Sequence, residues 1–317
     1  MTVEFCGITL AHPVVNGSGT FDALAARRVF GEQLRERFPF AAYVSKTITL
    51  EPRAGNPPPR LWESPAGLIN SIGLPNKGLE RYIAEDLPEL AELLDGAGNR
   101  AGAEPVPLIT NVMGASAEEL STMLDACDAR PEIAAIELNV SCPNVKTGLD
   151  IGADPVQLED VVRTVRPRTC KPLIVKLTPN TADVGACALA AERGGADALS
   201  LINTLRASAL APRAPRSHPA GAGNSGAGDA AAPWLGGGTG GLSGPAIRAV
   251  ALAQVAAVTA RVAIPVIGMG GVQSPGHARD LLDVGATLVA VGTESFRDPA
   301  AAARIAEGLH AMATRAG

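Results

Sequence analysis

The sequence predicts an α/β chain folded as a (β/α)8 TIM barrel, with cap insertions at the C-terminal face of the strands. Eight short apolar runs recur along the 317 residues, and a helical pattern follows most of them. Strands buried on both faces are continuous apolar runs, and their alternation with helices implies parallel crossovers. Paired glycine turns after the last two runs favour the barrel over its main competitor, a doubly wound open sheet.

The predicted strands lie in the segments HPVVNGSG, AAYVSKT, VPLITNV, AAIELNV, KPLIVKL, DALSLIN, IPVIGMGG and TLVAVGT. Helical patterns between them include SAEELSTMLDA, DPVQLEDVVRTV, TADVGACALAAERG and SPGHARDLLDVG. Several begin with Ser, Thr or Asp, which cap helix N-termini, and end with Gly, which terminates helices. The longest apolar region, residues 249–267, is broken by polar residues and Pro265. It therefore predicts a helix followed by a strand, and not a membrane span.

Two segments interrupt the strand–helix repeat. Residues 49–78 are rich in proline and glycine and follow the second strand, so we expect them to cap the barrel mouth. Residues 205–241 are dominated by Ala, Gly, Pro and Ser, and we expect residues 206–232 to be a flexible insertion. Strand–helix units resume after both segments, which predicts a single domain over residues 1–317.

Composition narrows the classes of function. The 27 basic and 32 acidic residues give a net charge of −5, and aromatic residues make up 3% of the chain. Neither value favours a nucleic-acid partner. Five scattered cysteines without a C-x-x-C pair argue against a disulfide framework and against a zinc or iron–sulfur site, so no metal site is expected. The start, MTVEFCGITL, lacks the features of a secretory signal, and we expect a soluble, cytoplasmic protein.

Catalytic groups of such barrels collect at the C-terminal ends of the strands. Only five of the 27 basic residues are lysines, so a lysine at two strand ends, Lys46 and Lys176, indicates an ammonium group directed at a cofactor or an anionic substrate. The simpler alternative is that each lysine reaches solvent. The turns GMGG (268–271) and VGT (291–293) predict a phosphate site, because glycine lets backbone N–H groups approach the oxygens. They could also serve only as tight turns.

The stretch IELNVSCPNVKTG ends an apolar run with a cysteine, amides and a lysine. A lone cysteine is usually a small buried hydrophobe. That interpretation applies to Cys6, Cys127, Cys170 and Cys187. Cys142 differs, because it follows a strand in a polar loop and Pro143 restricts its backbone. As a general base with an ordinary pKa of about 8.5, it would make activity rise toward alkaline pH.

The segments KTITLEPRAGNPPPR, GLINSIGLPNKG, NVSCPNVKTG, VKLTPN, LINT, GGLSGPAI, GMGGV and VGT resemble dihydroorotate dehydrogenases, FMN-containing barrel enzymes of pyrimidine synthesis. The cysteine at the base position implies class 1, most like the subclass 1B catalytic subunit. Such an enzyme oxidises (S)-dihydroorotate to orotate in de novo UMP biosynthesis with one FMN per chain. The resemblance also implies a homodimer with a partner subunit that carries FAD and a 2Fe-2S cluster and passes electrons to NAD.

The resemblance further implies the role of individual residues. Cys142 removes a proton from dihydroorotate while hydride passes to FMN. Substrate contacts are implied for Lys46, Asn70, Ser71, Ile72, Gly73, Leu74, Asn139, Asn203 and Thr204. Flavin contacts are implied for Ser18, Gly19, Lys46, Thr47, Asn111, Asn139, Lys176, Ile202, Gly244, Gly270, Gly271, Gly292 and Thr293.

The sequence is also compatible with three alternatives. One is a fumarate-dependent homodimer of subclass 1A, and another is a different FMN barrel oxidoreductase, such as a dihydropyrimidine dehydrogenase-like enzyme. The third, from a different class, is a non-catalytic barrel that binds a phosphorylated ligand, or a structural subunit.

Overall fold

The computed structural model describes residues 2–95, 97, 105–140, 151–211 and 232–316. Its strands are β1 (Val3–Phe5), β2 (Ile8–Leu10), β3 (Val14–Asn16), β4 (Tyr43–Val44), β5 (Leu61–Ser64), β6 (Gly67–Asn70), β7 (Leu108–Val112), β8 (Ile133–Asn139), β9 (Leu173–Lys176), β10 (Ala198–Leu201), β11 (Leu205–Ala207), β12 (Gly240–Ser243), β13 (Val266–Met269) and β14 (Leu288–Val291). Its α-helices are α1 (Ala23–Phe30), α2 (Glu32–Glu36), α3 (Leu79–Arg81), α4 (Leu87–Asp95), α5 (Ala117–Asp128), α6 (Pro155–Val165), α7 (Val184–Gly194), α8 (Arg248–Thr259), α9 (Pro275–Asp283), α10 (Glu294–Arg297) and α11 (Ala301–Ala316).

Among the described residues, eight strands form one parallel sheet in the order β3–β14–β13–β10–β9–β8–β7–β4. Each of the eight predicted apolar runs coincides with one of these strands to within one residue at its start or contains it, and helices α5 to α9 follow the predicted pattern. The predicted (β/α)8 barrel is therefore confirmed. Residues 249–267 also form a helix and then a strand, as predicted.

A side chain closes the seam between the first and last strands of the sheet order, β3 and β4. The Val44 N–H donates to Asn16 Oδ1 at 2.7 Å, and Asn16 Nδ2 donates to the Val44 carbonyl at 2.7 Å. One backbone hydrogen bond, from Ala41 N to Val14 O at 2.9 Å, adds to them. Asn16 is 1% exposed, so its amide takes the place of a peptide group in a buried ladder.

Side chains alternate between the barrel interior and the surrounding helices. The interior holds small and branched apolar residues, among them Val15, Ile109 and Ile174. Phe5 and Leu10, from the β1–β2 hairpin, pack against this cluster and close the N-terminal end of the barrel. The opposite residues of each strand pack in a larger cluster with the helices. The apolar filling at one end leaves the polar strand ends at the other end to form a site.

The two sequence insertions join in one cap. Strands β5 and β6 come from residues 49–78, while β11 and β12 flank the second insertion. Together they form an antiparallel sheet in the order β11–β12–β6–β5, in which Leu242 pairs with Ile69. The cap at the C-terminal face is confirmed, whereas the pairing of its two halves was not predicted. Residues 212–231, most of the expected flexible insertion, lie outside the described residues.

Helix starts follow the capping residues seen in the sequence. Ser116, Asp154, Asp183 and Ser274 each accept a hydrogen bond from a backbone N–H in the first turn of their helix. Gly195, in the left-handed conformation with φ of 102°, ends α7. In the described part of the chain, no helix combines the length and apolar character that a membrane crossing requires.

Candidate active site

A cavity of about 650 Å³ opens at the C-terminal ends of the barrel strands, beneath the cap. This volume lies within the range of pockets that enclose a small ligand or cofactor. Its floor is made by strand ends such as Asn139 and Lys176, and its cap side by Leu61, Leu68 and Asn70. The mouth of the barrel is thus the place where the polar strand ends converge.

Most residues singled out in the sequence meet in this cavity. The lining includes Ser18, Gly19, Lys46, Thr47, Asn70, Ile72, Gly73, Leu74, Asn139, Lys176, Ile202, Asn203, Thr204, Gly244, Gly270, Gly271, Gly292 and Thr293. Two others, Ser71 and Asn111, are fully buried beside the cavity and do not line it. Cys142 lies outside the described residues, which stop at Val140 and resume at Ile151.

Glycine backbone forms one wall. Gly244, Gly270 and Gly271 have φ values of 84°, 132° and 68°. A Cβ on Gly271 would lie 2.7 Å from the Cβ of Arg248 and 2.9 Å from the Gly244 oxygen. A Cβ on Gly270 would lie 2.6 Å from that of Ala251. Only glycine fits these turns, which leaves main-chain atoms facing the cavity, as binding of phosphate oxygens requires.

Hydroxyl and amide groups form the opposite wall, near the β3–β4 seam. Ser18 Oγ donates to the Ser45 carbonyl at 2.8 Å and lies 3.3 Å from Thr47 Oγ1. Asn139 Nδ2 donates to the same Thr47 oxygen at 3.2 Å. Thr47 and Asn139 are 3% and 6% exposed, so this network is held rigidly at the cavity floor.

The two strand-end lysines differ in environment. Lys46 is exposed at the mouth, whereas Lys176 is 5% exposed in the barrel. Within the described part of the chain, Lys176 Nζ has neither a hydrogen bond nor an ion pair. A buried ammonium without a partner is costly unless a ligand supplies negative charge or an acceptor. The cavity is therefore suited to an anionic or electron-accepting ligand over Lys176.

Amides hold the residues on the cap side. Asn70 Nδ2 donates to the Gly241 carbonyl at 3.2 Å, which ties β6 to β12. Asn203 Oδ1 accepts from Thr204 N at 2.8 Å. Asn56 Nδ2 donates to Ser71 Oγ at 3.0 Å, so Ser71 supports the loop that carries Ile72 to Leu74 into the cavity.

Several lining residues were not recognised in the sequence. They are Gly17, Thr20, Phe21, Asp22, Leu61, Leu68, Ser243, Pro245, Ile247, Met269, Val272, Gln273, Glu294 and Phe296. Gly17, Thr20 and Ser243 adjoin predicted residues, and that adjacency was the available signal. The apolar members Leu61, Leu68 and Phe296 gave none, because a leucine in a short strand or a phenylalanine in a short helix has no pattern that distinguishes a cavity wall from ordinary packing.

The cysteines outside the cavity show mixed behaviour. Burial raises the pKa of the Cys127 thiol to about 12 and that of Cys6 to about 11, so neither is a thiolate at neutral pH. Cys127 and Cys187 are buried, as predicted, and Cys6 is half-buried. The prediction that Cys170 is buried is wrong. It lies in the exposed turn before β9, where its backbone N–H donates to Asp128.

Comparison with known proteins decides the family. The dihydroorotate dehydrogenase family model matches residues 1–312. The chain belongs to the dihydroorotate dehydrogenase family. It is 41% identical over 319 residues to the dihydroorotate dehydrogenase B (NAD(+)) catalytic subunit of Desulforudis audaxviator, a match that covers 99% of this chain and 93% of that protein.

Other members of the family match over similar lengths. The protein of the same name from Geotalea daltonii is 41% identical, with 98% of this chain and 92% of that protein covered. That from Geobacter sulfurreducens is 40% identical, with 96% and 90% covered. The resemblance inferred from short motifs is thus confirmed over nearly the full chain.

Proposed function

We propose that this chain is the catalytic subunit of an NAD-linked dihydroorotate dehydrogenase, which oxidises (S)-dihydroorotate to orotate in pyrimidine biosynthesis. The observation that carries the proposal is the cavity, in which glycine turns, a hydroxyl–amide wall and Lys176, which has no partner among the described residues, converge in a chain of this family.

The residues present fit FMN. The glycine backbone at 244, 270, 271 and 292, with Thr293, would hold the phosphate, because the turns at 244, 270 and 271 leave no space for a side chain. Thr293 Oγ1 already donates to Ser243 Oγ at 2.8 Å, which fixes this edge. The rest of the proposed flavin site is Ser18, Gly19, Lys46, Thr47, Asn111, Asn139, Lys176 and Ile202. Bound FMN would supply a two-electron acceptor of hydride.

Lys176 would stabilise the negative charge that reduction of a flavin creates. An ammonium held in a buried, low-dielectric position interacts more strongly with such charge than it would in water. Among the described residues it has no competing carboxylate partner. Lys46, at the mouth, would bridge flavin and substrate.

The substrate would bind under the cap. Dihydroorotate has a carboxylate and imide-like donors and acceptors, and amides satisfy both kinds of group. Asn70, Asn139 and Asn203 reach the cavity from three different elements and would orient the ring together with Lys46 and Thr204. The loop of Ser71, Ile72, Gly73 and Leu74 would close over the substrate.

Cys142 would be the general base, and in the sequence it follows Asn139, the last residue of β8, by three residues. A base fixed close to the carbon that loses its proton makes proton removal an oriented, intramolecular step. This assignment depends on the family resemblance, because Cys142 lies outside the described residues.

The proposed assembly is a homodimer that associates with a subunit carrying FAD and a 2Fe-2S cluster, in the cytoplasm. The curated relatives are named as catalytic subunits with NAD(+), and this supports NAD over fumarate as the acceptor.

The testing experiment is turnover of dihydroorotate by the purified chain, alone and with its electron-transfer subunit, with NAD and with fumarate. NAD reduction only in the presence of the partner is expected. Fumarate-dependent turnover by the chain alone would identify a subclass 1A enzyme. A flavin that dihydroorotate does not reduce would indicate another FMN barrel oxidoreductase, and a protein without flavin would indicate a binding protein.

A further inference from the structure

Glu137 is a buried carboxylate that the proposed chemistry leaves unused. It is 2% exposed, and Lys176 is 5% exposed. In the part of the chain that the structure describes, they are the only charged residues that are buried. A charge is seldom kept inside a barrel without a partner or a function.

Strand alternation places Glu137 directly beneath the cavity. Along β8, Ala135 packs in the apolar barrel interior and Asn139 lines the cavity. Glu137 lies between them on the same face, because side chains two residues apart on a strand share a face. The carboxylate therefore occupies the layer between the apolar filling and the proposed flavin site.

Two hydrogen bonds hold this carboxylate from different strands. Ser200 Oγ donates to Oε1 at 2.6 Å, and Asn111 Nδ2 donates to Oε2. Ser200 is on β10 and Glu137 on β8, while β9, which carries Lys176, lies between them in the sheet. Lys176 pairs in register with both Ser200 and Asn139. The anion thus spans the strand of the buried cation without forming a direct ion pair with it.

The carboxylate also fixes the orientation of Asn111. An ionised carboxylate only accepts hydrogen bonds, so the Asn111 amide must present its Nδ2 to Glu137. Asn111 Oδ1 is then left buried without a hydrogen-bond partner in the described residues. An acceptor left unsatisfied in a barrel interior is suited to a donor from a bound ligand or a water molecule.

We propose that Glu137 is a positioning residue of the flavin site, which fixes the Asn111 amide and balances the buried charge of Lys176. The proposal rests on the proposed function. A cation beside the ring favours the reduced, negatively charged flavin, and an anion in the next layer opposes it. Glu137 therefore keeps the reduction potential of the flavin lower than Lys176 alone would make it.

The test is the midpoint potential of bound FMN in Glu137→Gln, measured by spectroelectrochemical titration. The amide can still accept from Asn111 and donate to Ser200, so mainly the charge is lost. The equilibrium between oxidised and reduced flavin should shift at least tenfold toward the reduced form, which corresponds to a rise in midpoint potential of about 30 mV for a two-electron couple. An unchanged potential would overturn the proposal.

Two control variants separate charge from structure. Ser200→Ala removes one hydrogen bond and keeps the charge, so the protein should lose stability while the potential moves by less than half as much. Glu132→Gln removes a carboxylate that is paired with Arg130 just before β8, outside the barrel, and should leave the potential unchanged. A shift in Ser200→Ala equal to that in Glu137→Gln would contradict the charge assignment.

A double-mutant cycle covers the case in which Glu137→Gln folds but does not bind FMN, and rescue of folding by the added Lys176→Gln substitution covers the case in which Glu137→Gln does not fold. Urea unfolding of the FMN-free protein is compared for Glu137→Gln, Lys176→Gln and the double variant. The double variant should be more stable than the sum of the single effects predicts, by at least about threefold in the unfolding equilibrium constant. Additive effects, or a double variant that also fails to fold, would overturn the charge balance. If the wild-type chain bound no FMN, the proposed function would fail, and this cycle would still show whether Glu137 and Lys176 stabilise each other.

Discussion

Substitution of Gly271 by alanine tests the proposed phosphate cradle. Gly271 has φ of 68° and its new Cβ would lie 2.7 Å from the Arg248 Cβ and 2.9 Å from the Gly244 oxygen. Left-handed backbone costs alanine about 1 kcal/mol, and overpacking typically costs a further 1–3 kcal/mol. We expect the free energy of unfolding to fall by about 2–4 kcal/mol.

The same displacement should weaken FMN binding. The Gly271 turn must move away from Gly244 to relieve the contact, and the loss of one hydrogen bond to a charged group is worth about 1.5–3 kcal/mol. The Kd for FMN should therefore rise by roughly 10- to 150-fold. Titration of the FMN-free protein, followed by flavin fluorescence, measures it.

Gly7→Ala is the matched control. Gly7 has φ of 80°, similar to Gly271, but a Cβ there meets nothing within 4 Å, and the β1–β2 turn lies at the other end of the barrel. This variant should lose about 1 kcal/mol of stability and bind FMN like the wild type. If Gly271→Ala and Gly7→Ala bound FMN equally well, the Gly271 turn would not be part of the flavin site.

Three further predictions concern the base, the barrel seam and the pH dependence of stability. Cys142→Ala should retain FMN and slow flavin reduction by dihydroorotate on the order of 10²- to 10⁴-fold. Cys142→Ser should keep some activity with a more alkaline pH optimum. Near-normal flavin reduction in Cys142→Ala would refute the base assignment. Asn16→Ala should lower the free energy of unfolding, measured by urea titration, by about 2–5 kcal/mol, because it leaves the buried N–H and C=O of Val44 unpaired. A loss below about 1 kcal/mol would contradict the role of Asn16 in closing the seam. Burial lowers the pKa of His12 to about 4, and its Nδ1 accepts a hydrogen bond from Val14 N. Between about pH 6.5 and 4, His12 is therefore protonated in the unfolded chain but not in the folded one, and the stability of the fold decreases as the pH falls through that window. Between pH 7.5 and pH 5, the free energy of unfolding of the wild type should therefore decrease by up to about 2 kcal/mol more than that of His12→Gln. The control His310→Gln, which changes an exposed histidine, should behave like the wild type, and an equal decrease in all three proteins would refute this prediction.

The barrel could be predicted from sequence because each of its strands is a continuous apolar run between helical segments. The segments KPLIVKL and TLVAVGT, for example, contain β9 and β14. Ser or Asp residues predicted at helix starts, such as Ser274, accept hydrogen bonds as N-caps. The strand ends were equally informative, since register brings them together at one end of a parallel barrel. This is why Lys46, Asn139 and Gly271, distant in sequence, line one cavity.

The missed features depend on contacts between distant segments. The pairing of Leu242 with Ile69 joins two insertions that have no matching pattern in the sequence. The Asn16 amide at the seam and the Glu137 carboxylate in the barrel are single polar residues within apolar runs. A sequence shows that such residues are unusual, but their partners are set by strand order and register. Cys170 was misjudged because apolar character does not determine burial in a short turn.

Anaerobic mixing of the FMN-loaded protein with dihydroorotate tests the central claim most directly. The visible absorption of the oxidised flavin should bleach in a single turnover, with one orotate formed per flavin and no electron acceptor present. A flavin that remains oxidised under these conditions, in protein that is folded and fully loaded, would contradict the assignment of this cavity as a dihydroorotate-oxidising site.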